Sequence, residues 1–176
     1  MPGTTTTSDP TTRPRSARRA VGIVVAGVVA GLTLCHVLLF QVCVVSGASM
    51  RPTLAAGQRV LVFKQASTYE RGDLVVFIHP DSPDDLLVKR VLALPGEQLE
   101  GHGGKLYVGP FVIAEPYALA GTTLGDLAPA TVPADHYYLV GDNRAESIDS
   151  RAFGAVDRRL VVGKVVLSLW SPEGGM

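Results

Sequence analysis

The stretch Ser46-Gly47-Ala48-Ser49-Met50-Arg51-Pro52-Thr53-Leu54 begins where a long apolar run ends, and the rest of the chain is organised around it. Gly, Ser and Pro also form ordinary turns, so a serine near a proline does not by itself identify a nucleophile. Pro52 fixes its own φ and restricts Arg51 to extended conformations, which stiffens the loop that carries Ser49. Ser49 is therefore a candidate nucleophile, and its assignment depends on a base and a location supplied elsewhere in the chain.

The chain upstream of this stretch has the composition of a membrane anchor. Residues 20–45 contain no Asp, Glu, Lys or Arg, and at about 1.5 Å per helical residue this run exceeds the roughly 30 Å thickness of the bilayer hydrocarbon. Because the apolar region of a signal peptide is only about 7 to 15 residues long, we expect a retained, tilted transmembrane helix. Residues 1–19 are rich in Thr and then in Arg, and we expect this arm to be disordered.

Charge sets the expected orientation of the chain. Four arginines and the single acid Asp9 precede the anchor, so the positive-inside rule places the N-terminus in the cytoplasm. Residues 46–176 would then form an extracytoplasmic domain on a protein that spans the plasma membrane once. The two cysteines, Cys35 and Cys43, fall inside the expected anchor, so the exported domain would lack a disulfide. The chain has 16 basic and 16 acidic residues, and this balance gives no electrostatic case for a nucleic-acid partner.

The expected exported domain has the pattern of a mainly β fold. Short runs of β-favouring residues are separated by Gly, Pro and acidic turns, and no stretch shows the apolar stripe of an amphipathic helix. The pattern predicts strands at 58–64, 74–78, 86–94, 136–140 and 160–170, a hairpin at 105–108 and 111–114, an acidic loop at 81–85, and a loop or variable insertion at 117–133.

Lys89 is the strongest candidate for the base. In the strand 86–94 the side chains at 87, 89 and 91 share one face, so Lys89 lies between Leu87 and Val91. Burial there disfavours the ammonium form, and a neutral amine can take a proton from a serine hydroxyl. Arg90 points to the other face, and its guanidinium stays protonated. The alternative is an edge-strand lysine whose amine reaches solvent.

Other catalytic classes have weaker support. The four histidines share no close spacing and there is no H-E-x-x-H motif, so no metal site is expected. No phosphate loop or dinucleotide fingerprint indicates a cofactor. A Ser-His-Asp triad that uses His79, His102 or His136 stays open as an alternative, although none of them lies in a setting that marks it as a base.

Together these segments resemble the bacterial type I signal peptidases, membrane-bound serine-lysine endopeptidases that remove signal peptides from exported preproteins. Residues 49–54 resemble the nucleophile box, 71–77 the next strand box, and 88–97 the lysine box. The last box is matched by Gly141-Asp142-Asn143-Arg144 followed by Ser147, Asp149, Ser150, Arg151, Phe153 and Gly154. The resemblance, closest to the short Gram-positive form, implies a coiled β-sheet catalytic domain behind one transmembrane helix.

The resemblance also implies roles by position. Ser49 would be the nucleophile and Lys89 the general base of an acyl-enzyme mechanism. Ser147 would orient the lysine amine, and Asp149 and Arg151 would form a supporting ion pair. The implied substrates are secretory preproteins with small residues at the first and third positions before the cleaved bond. The lipid bilayer and the secretion translocon would be further partners, and no cofactor is implied.

Two positions depart from the family pattern. Gly47 stands where many Gram-negative members have a serine that donates to the oxyanion, so the oxyanion hole would rest on the Ser49 backbone N–H and the region of Gly47. Ala145-Glu146 stands where the family usually has Asp-Asn. A catalytically inactive, membrane-anchored paralogue that binds preproteins or a partner is therefore the alternative function. A self-cleaving serine-lysine repressor fits less well, because the chain has an anchor and no DNA-binding module.

Overall fold

The structure is a computed structural model that describes residues 15–170. The expected disorder of the N-terminal arm falls mainly on residues 1–14, which lie outside this range. Residues 15–19 are helical, so that expectation is wrong for them.

Helix α1, Arg15–Leu39, forms a unit of its own at the N-terminal end of the chain. Its segment Val21–Leu39 is long and apolar enough to cross a membrane, and the described side chains before Leu39 are exposed rather than packed in a protein core. These properties fit a membrane anchor. The expected span to residue 45 is too long, because the helix ends at Leu39 and the chain continues directly into a strand.

The strand after the helix explains this difference. Residues 40–44 pair antiparallel with residues 59–63 through five residue pairs, and an aromatic and two valines among them favour a strand. An uncharged apolar run fits a helix or a buried strand equally well, so the absence of charge could not locate the boundary.

The rest of the described chain is mainly β, as predicted, and forms two antiparallel sheets. The strand order is β1-β2-β11-β3-β4-β9-β10 in the larger sheet and β7-β6-β5-β8 in the smaller one. The strands are β1 Phe40–Val44, β2 Arg59–Phe63, β3 Leu74–His79, β4 Ser82–Ala93, β5 Gln98–His102, β6 Lys105–Val108, β7 Phe111–Ile113, β8 Leu127–Thr131, β9 His136–Val140, β10 Val156–Asp157 and β11 Val161–Trp170.

Most predicted strands are confirmed to within about one residue, and the exceptions have physical causes. The predicted acidic loop is wrong, because β4 already begins at Ser82, which pairs with His79, while the side chains at 83–85 point to solvent. Strand β5 was not predicted. The predicted loop at 117–133 contains β8, whose Ala- and Pro-containing sequence pairs with β5. Tertiary pairing here overrides weak local propensity.

Two core clusters fix the segments that carry Ser49 and Lys89. Met50 and Leu54 follow Ser49 and are buried with Val60 and Val62. The second cluster lies on the face of β4 that carries Lys89 and contains Val75, Phe77, Val91 and Leu139. Burial of Met50 next to Ser49 anchors the nucleophile loop to the sheet, since a fully buried Met side chain contributes about 1.5 to 3 kcal/mol.

Candidate functional site

The Ser49 loop is a compact turn held by its own backbone. The N–H of Arg51 donates to the Ala48 carbonyl at 3.1 Å, and that of Leu54 donates to the Met50 carbonyl at 2.9 Å. Gly47 has φ +86°, with open space where a Cβ would stand. This positive φ is costly for a serine, so the backbone itself favours glycine at this position.

Lys89 meets the nucleophile from strand β4. It pairs with Val75 of β3, and Leu87 and Val91 belong to one cluster, as strand alternation predicts. Its Nζ lies 2.7 Å from Ser49 Oγ. Because Lys89 is only 3% exposed, the alternative of a solvent-reaching lysine is wrong.

The environment of Lys89 favours its neutral form. Burial lowers the pKa of the Lys89 amine to about 8, against a partial increase from Asp149 and a further decrease from the Arg151 guanidinium. Desolvation is the largest of these effects, because the interior solvates an ammonium poorly. A substantial fraction of the amine is therefore neutral near physiological pH and able to accept a proton.

Asp149 and Arg151 form the predicted ion pair beside the site. The Asp149 carboxylate is fully buried and accepts from Arg151 Nε at 2.8 Å, from Arg151 Nη2 at 2.9 Å and from the Gly141 N–H at 3.0 Å. It also caps the short helix α2, Ser150–Phe153. Burial alone would raise the pKa of Asp149, but hydrogen bonds from Arg151 and Gly141 outweigh it and leave the pKa below its usual value.

Ser147 is close to the site but does not bond the lysine. Its Oγ is buried and has no hydrogen-bonding partner among residues 15–170. A Cβ on Gly141 would lie 2.3 Å from Ser147 Oγ and 2.6 Å from the Ser49 carbonyl oxygen, so only glycine permits this approach. The predicted orienting role of Ser147 stays a prediction.

The three histidines of the alternative Ser-His-Asp triad contact residues other than Ser49. His79 packs edge-on against Phe153 with ring centroids 5.0 Å apart, and His102 stacks on Tyr107 at 4.1 Å. His136 Nδ1 lies 2.7 Å from a main-chain carbonyl two residues away. In the part of the chain that the structure describes, no group of three or more His, Cys, Asp or Glu residues could hold a metal ion.

A buried ionic network on the other face of β4 was not predicted. Arg90 donates to both carboxylate oxygens of Asp142, at 2.8 and 2.6 Å, and to the Gly72 carbonyl at 2.7 Å. Thr53 Oγ1 accepts from Arg90 at 3.2 Å and donates to Asp142 at 2.5 Å. The network therefore ties the Ser49 loop, the lysine strand and the last sequence box together. Alternation indicated that Arg90 faces away from Lys89, but no sequence signal identified its partners.

Asn143 completes the link between the last box and the nucleophile. Its N–H donates to the Ser49 carbonyl at 3.0 Å, and its side-chain amide donates to the Ala48 carbonyl at 3.3 Å. The main chain of the Ser49 loop is thus held directly by Asn143, a residue of the family box to which the sequence assigned no role.

A mainly aliphatic cavity of about 240 Å³ opens beside Ser49 and Lys89. One wall is β1, an edge strand of the larger sheet. The other wall is the part of β4 before Arg90, which pairs with β3 but not with β9. The cavity is lined by Gln41, Val42, Cys43, Val44, Val45, Ser46, Ser49, Val60, Val76, Leu86, Leu87, Val88 and Lys89.

Comparisons with known proteins agree on one family. A family model described as signal peptidase, peptidase S26, matches residues 17–170. The chain is 34% identical to a signal peptidase I of Bacillus licheniformis over 87% of this chain and 88% of that protein. It is 38% identical to signal peptidase IB of Staphylococcus aureus strain COL over 72% and 75% of the two chains. A crystal structure of a signal peptidase I from Enterococcus faecalis, 27% identical, superposes with a TM-score of 0.52 over 58% of this chain and 100% of that one.

Proposed function

Since the chain belongs to the signal peptidase family, peptidase S26, whose members are serine endopeptidases, we propose that it removes signal peptides from exported preproteins with a Ser49–Lys89 dyad. The observation that carries this proposal is the 2.7 Å distance between Lys89 Nζ and Ser49 Oγ. A nucleophile and a base within hydrogen-bonding distance, with the pKa of the base lowered by burial, form the activated pair that covalent catalysis requires.

The proposed reaction has two steps. The neutral Lys89 amine takes the Ser49 proton as Oγ attacks the carbonyl before the cleaved bond, and the resulting ammonium returns the proton to the leaving amine. The acyl-enzyme is then hydrolysed by a water that the same amine deprotonates. The Ser49 N–H, beside Gly47, would donate to the oxyanion in both steps, and such a donor is worth roughly 2.7 to 4 kcal/mol.

The cleft fits an extended peptide. A substrate strand lying between residues 41–44 of β1 and residues 86–89 of β4 would run along the edge of β1 that faces away from β2 and the edge of β4 that faces away from β3. Strand addition there would satisfy its main chain. Alternate side chains of that strand would enter the cavity of about 240 Å³. Small residues at the first and third positions before the cleaved bond are what the family resemblance implies, and the valine-walled cavity is where their side chains would lie.

The anchor would raise the local concentration of substrate. A preprotein threaded through the same bilayer meets a tethered active site at a high effective concentration. The arginines before and at the start of α1 favour a cytoplasmic N-terminus and an extracytoplasmic catalytic unit. Lipid and the secretion translocon are the partners that this arrangement implies.

The contacts of the site argue against an inactive paralogue. The departure at Ala145-Glu146 is on the surface, where both side chains are exposed. The neighbouring Asp149–Arg151 pair and the Asn143 contacts to the Ser49 loop are intact. The unusual dipeptide therefore leaves the dyad and its support in place.

Cleavage of a preprotein by purified protein in detergent tests the proposal. Wild type should release the mature protein, and Ser49→Ala should release none. Ser67→Ala is the matched control and should cleave like wild type, because Ser67 is exposed and its carbonyl accepts from Arg158 rather than from a residue of the site. Equal rates for wild type and Ser49→Ala would show that Ser49 is not the nucleophile.

A further inference from the structure

The segment between β7 and β8 reaches the catalytic region at three points, although its sequence indicated no function. Glu115, Tyr117 and Leu119 each contact a residue of the lysine strand or of the last sequence box. We call residues 115–119 the clamp. These contacts go to Arg144, Arg90 and Asp142 rather than to Ser49 or Lys89, so an effect of the clamp on the reaction would pass through other residues.

Glu115 holds the last box through Arg144. The Arg144 guanidinium lies 2.5 and 3.3 Å from the two Glu115 oxygens, and the side chains are only 2% and 12% exposed. Arg144 Nε also donates to the Gly141 carbonyl at 2.9 Å. Glu115 thus fixes the guanidinium that holds Gly141, whose Cα approaches the Ser49 carbonyl too closely for any side chain.

Tyr117 and Leu119 hold the Arg90–Asp142 pair. The guanidinium carbon of Arg90 lies 4.1 Å from the centre of the Tyr117 ring, a cation–π contact. The Leu119 N–H donates to the Asp142 carbonyl at 2.9 Å. The ring covers one side of an ion pair whose members are 10% and 0% exposed, and exclusion of water strengthens such a pair.

We propose that the clamp is a positioning element that sets the Ser49 loop against Lys89, with Tyr117 and Glu115 as its positioning residues. The contacts form a chain from the clamp to the nucleophile. Glu115 acts on Gly141 through Arg144, and Tyr117 acts on Asp142 through Arg90. The next residue, Asn143, donates its N–H to the Ser49 carbonyl. The inference rests on the proposed function, because its effect is on the rate of Ser49 chemistry. A displacement of about 1 Å in such a contact can cost about 100-fold in rate.

Kinetics of Tyr117 variants of the full chain test the clamp. Tyr117→Leu removes the ring and Tyr117→Phe keeps it. We expect kcat to fall about tenfold in Tyr117→Leu, because Arg90 loses its cation–π contact. KM should change less than about twofold, since the clamp does not line the substrate cavity. Tyr117→Phe should restore most of kcat, and the isosteric Glu115→Gln should lower kcat with KM unchanged.

Tyr107→Leu is the matched control, because it makes the same substitution at a half-buried tyrosine of the smaller sheet. The proposal is overturned if Tyr117→Leu has the same kcat as Tyr107→Leu, or if Tyr117→Leu raises KM and leaves kcat unchanged. Should Tyr117→Leu fail to fold, Glu115→Gln carries the test, and wild-type kcat in that variant overturns the proposal. Ser49→Ala is assayed in parallel, so that an inactive wild type or an active Ser49→Ala refutes the dyad rather than the clamp.

Discussion

The cleavage rate should depend steeply on pH through Lys89, whose pKa burial lowers to about 8. Between pH 8 and pH 6 the neutral fraction of such an amine falls from about one half to about one hundredth. Because only the neutral amine can take the Ser49 proton, kcat/KM should fall about 50-fold over this interval. An amine at the ordinary lysine value of 10.5 would instead leave only about 0.03% neutral at pH 7.

The assay uses the full chain in detergent with a preprotein at a concentration below KM, and circular dichroism at each pH verifies folding. A rate that stays flat from pH 6 to pH 8 would refute the neutral-lysine mechanism. A break near pH 6.5, the ordinary pKa of histidine, would point to a histidine base instead.

Arg151→Met tests the electrostatic part of this prediction. The Arg151 guanidinium lowers the pKa of Lys89 and Asp149 raises it, so loss of the cation should raise that pKa. The acid limb of the profile should then move to higher pH, with the rate at pH 9 reduced less than the rate at pH 7. Movement of the limb to lower pH would contradict this account of the site.

Two further predictions concern Lys89 and Cys43. The folded pKa of Lys89 lies below its unfolded value, so below about pH 8 the folded state bears the cost of a buried ammonium, and stability rises with pH between the two values. Lys89→Met should therefore be inactive yet more stable at pH 7, by up to about 3 kcal/mol in urea unfolding. This gain should shrink as the pH rises from about 8 to 10.5, and an equal or lower stability at pH 7 would contradict the prediction. Cys43 lines the cavity, so modification of its thiol by a bulky maleimide should block cleavage by wild type. The variant Cys43→Ser, which retains Cys35, is the control and should still cleave after the same treatment. Equal inhibition of both proteins would show that the substrate binds elsewhere.

Sequence patterns predicted the features that depend on side-chain alternation within a strand and on the order of the strands along the chain. Alternation in one strand placed Lys89 between Leu87 and Val91, and the spacing of β-favouring runs predicted most strands. The end of α1 at Leu39 could not be predicted, because an uncharged apolar run fits a helix and a strand alike. Strands β5 and β8 were missed because their Gly-, Ala- and Pro-containing sequences have low strand propensity and depend on pairing with each other.

The sequence identified the chemical groups of the site, but it predicted few of the contacts between them. Asp149 and Arg151 are two residues apart in the sequence, and their ion pair was predicted from the resemblance to the signal peptidase family. The network of Arg90, Asp142 and Thr53 joins positions 37 and 52 residues apart, and long-range pairing of this kind leaves no local pattern. The contact of Tyr117 with Arg90 was not predicted either, because the two residues meet only when the loop between β7 and β8 folds back onto the larger sheet.

Two successive residues of β4 have opposite requirements, and the register of one strand satisfies both. Lys89 must lose its proton beside Ser49, whereas Arg90 must stay charged against Asp142 on the other face. A slip of one residue in the pairing of β3 with β4 would exchange the two faces. Ser49 would then meet a guanidinium, which cannot serve as a base, and the lysine would lie beside a carboxylate that favours its charged form. The pairing of Val75 with Lys89 is therefore as much a determinant of the proposed chemistry as the identity of the two residues in the dyad.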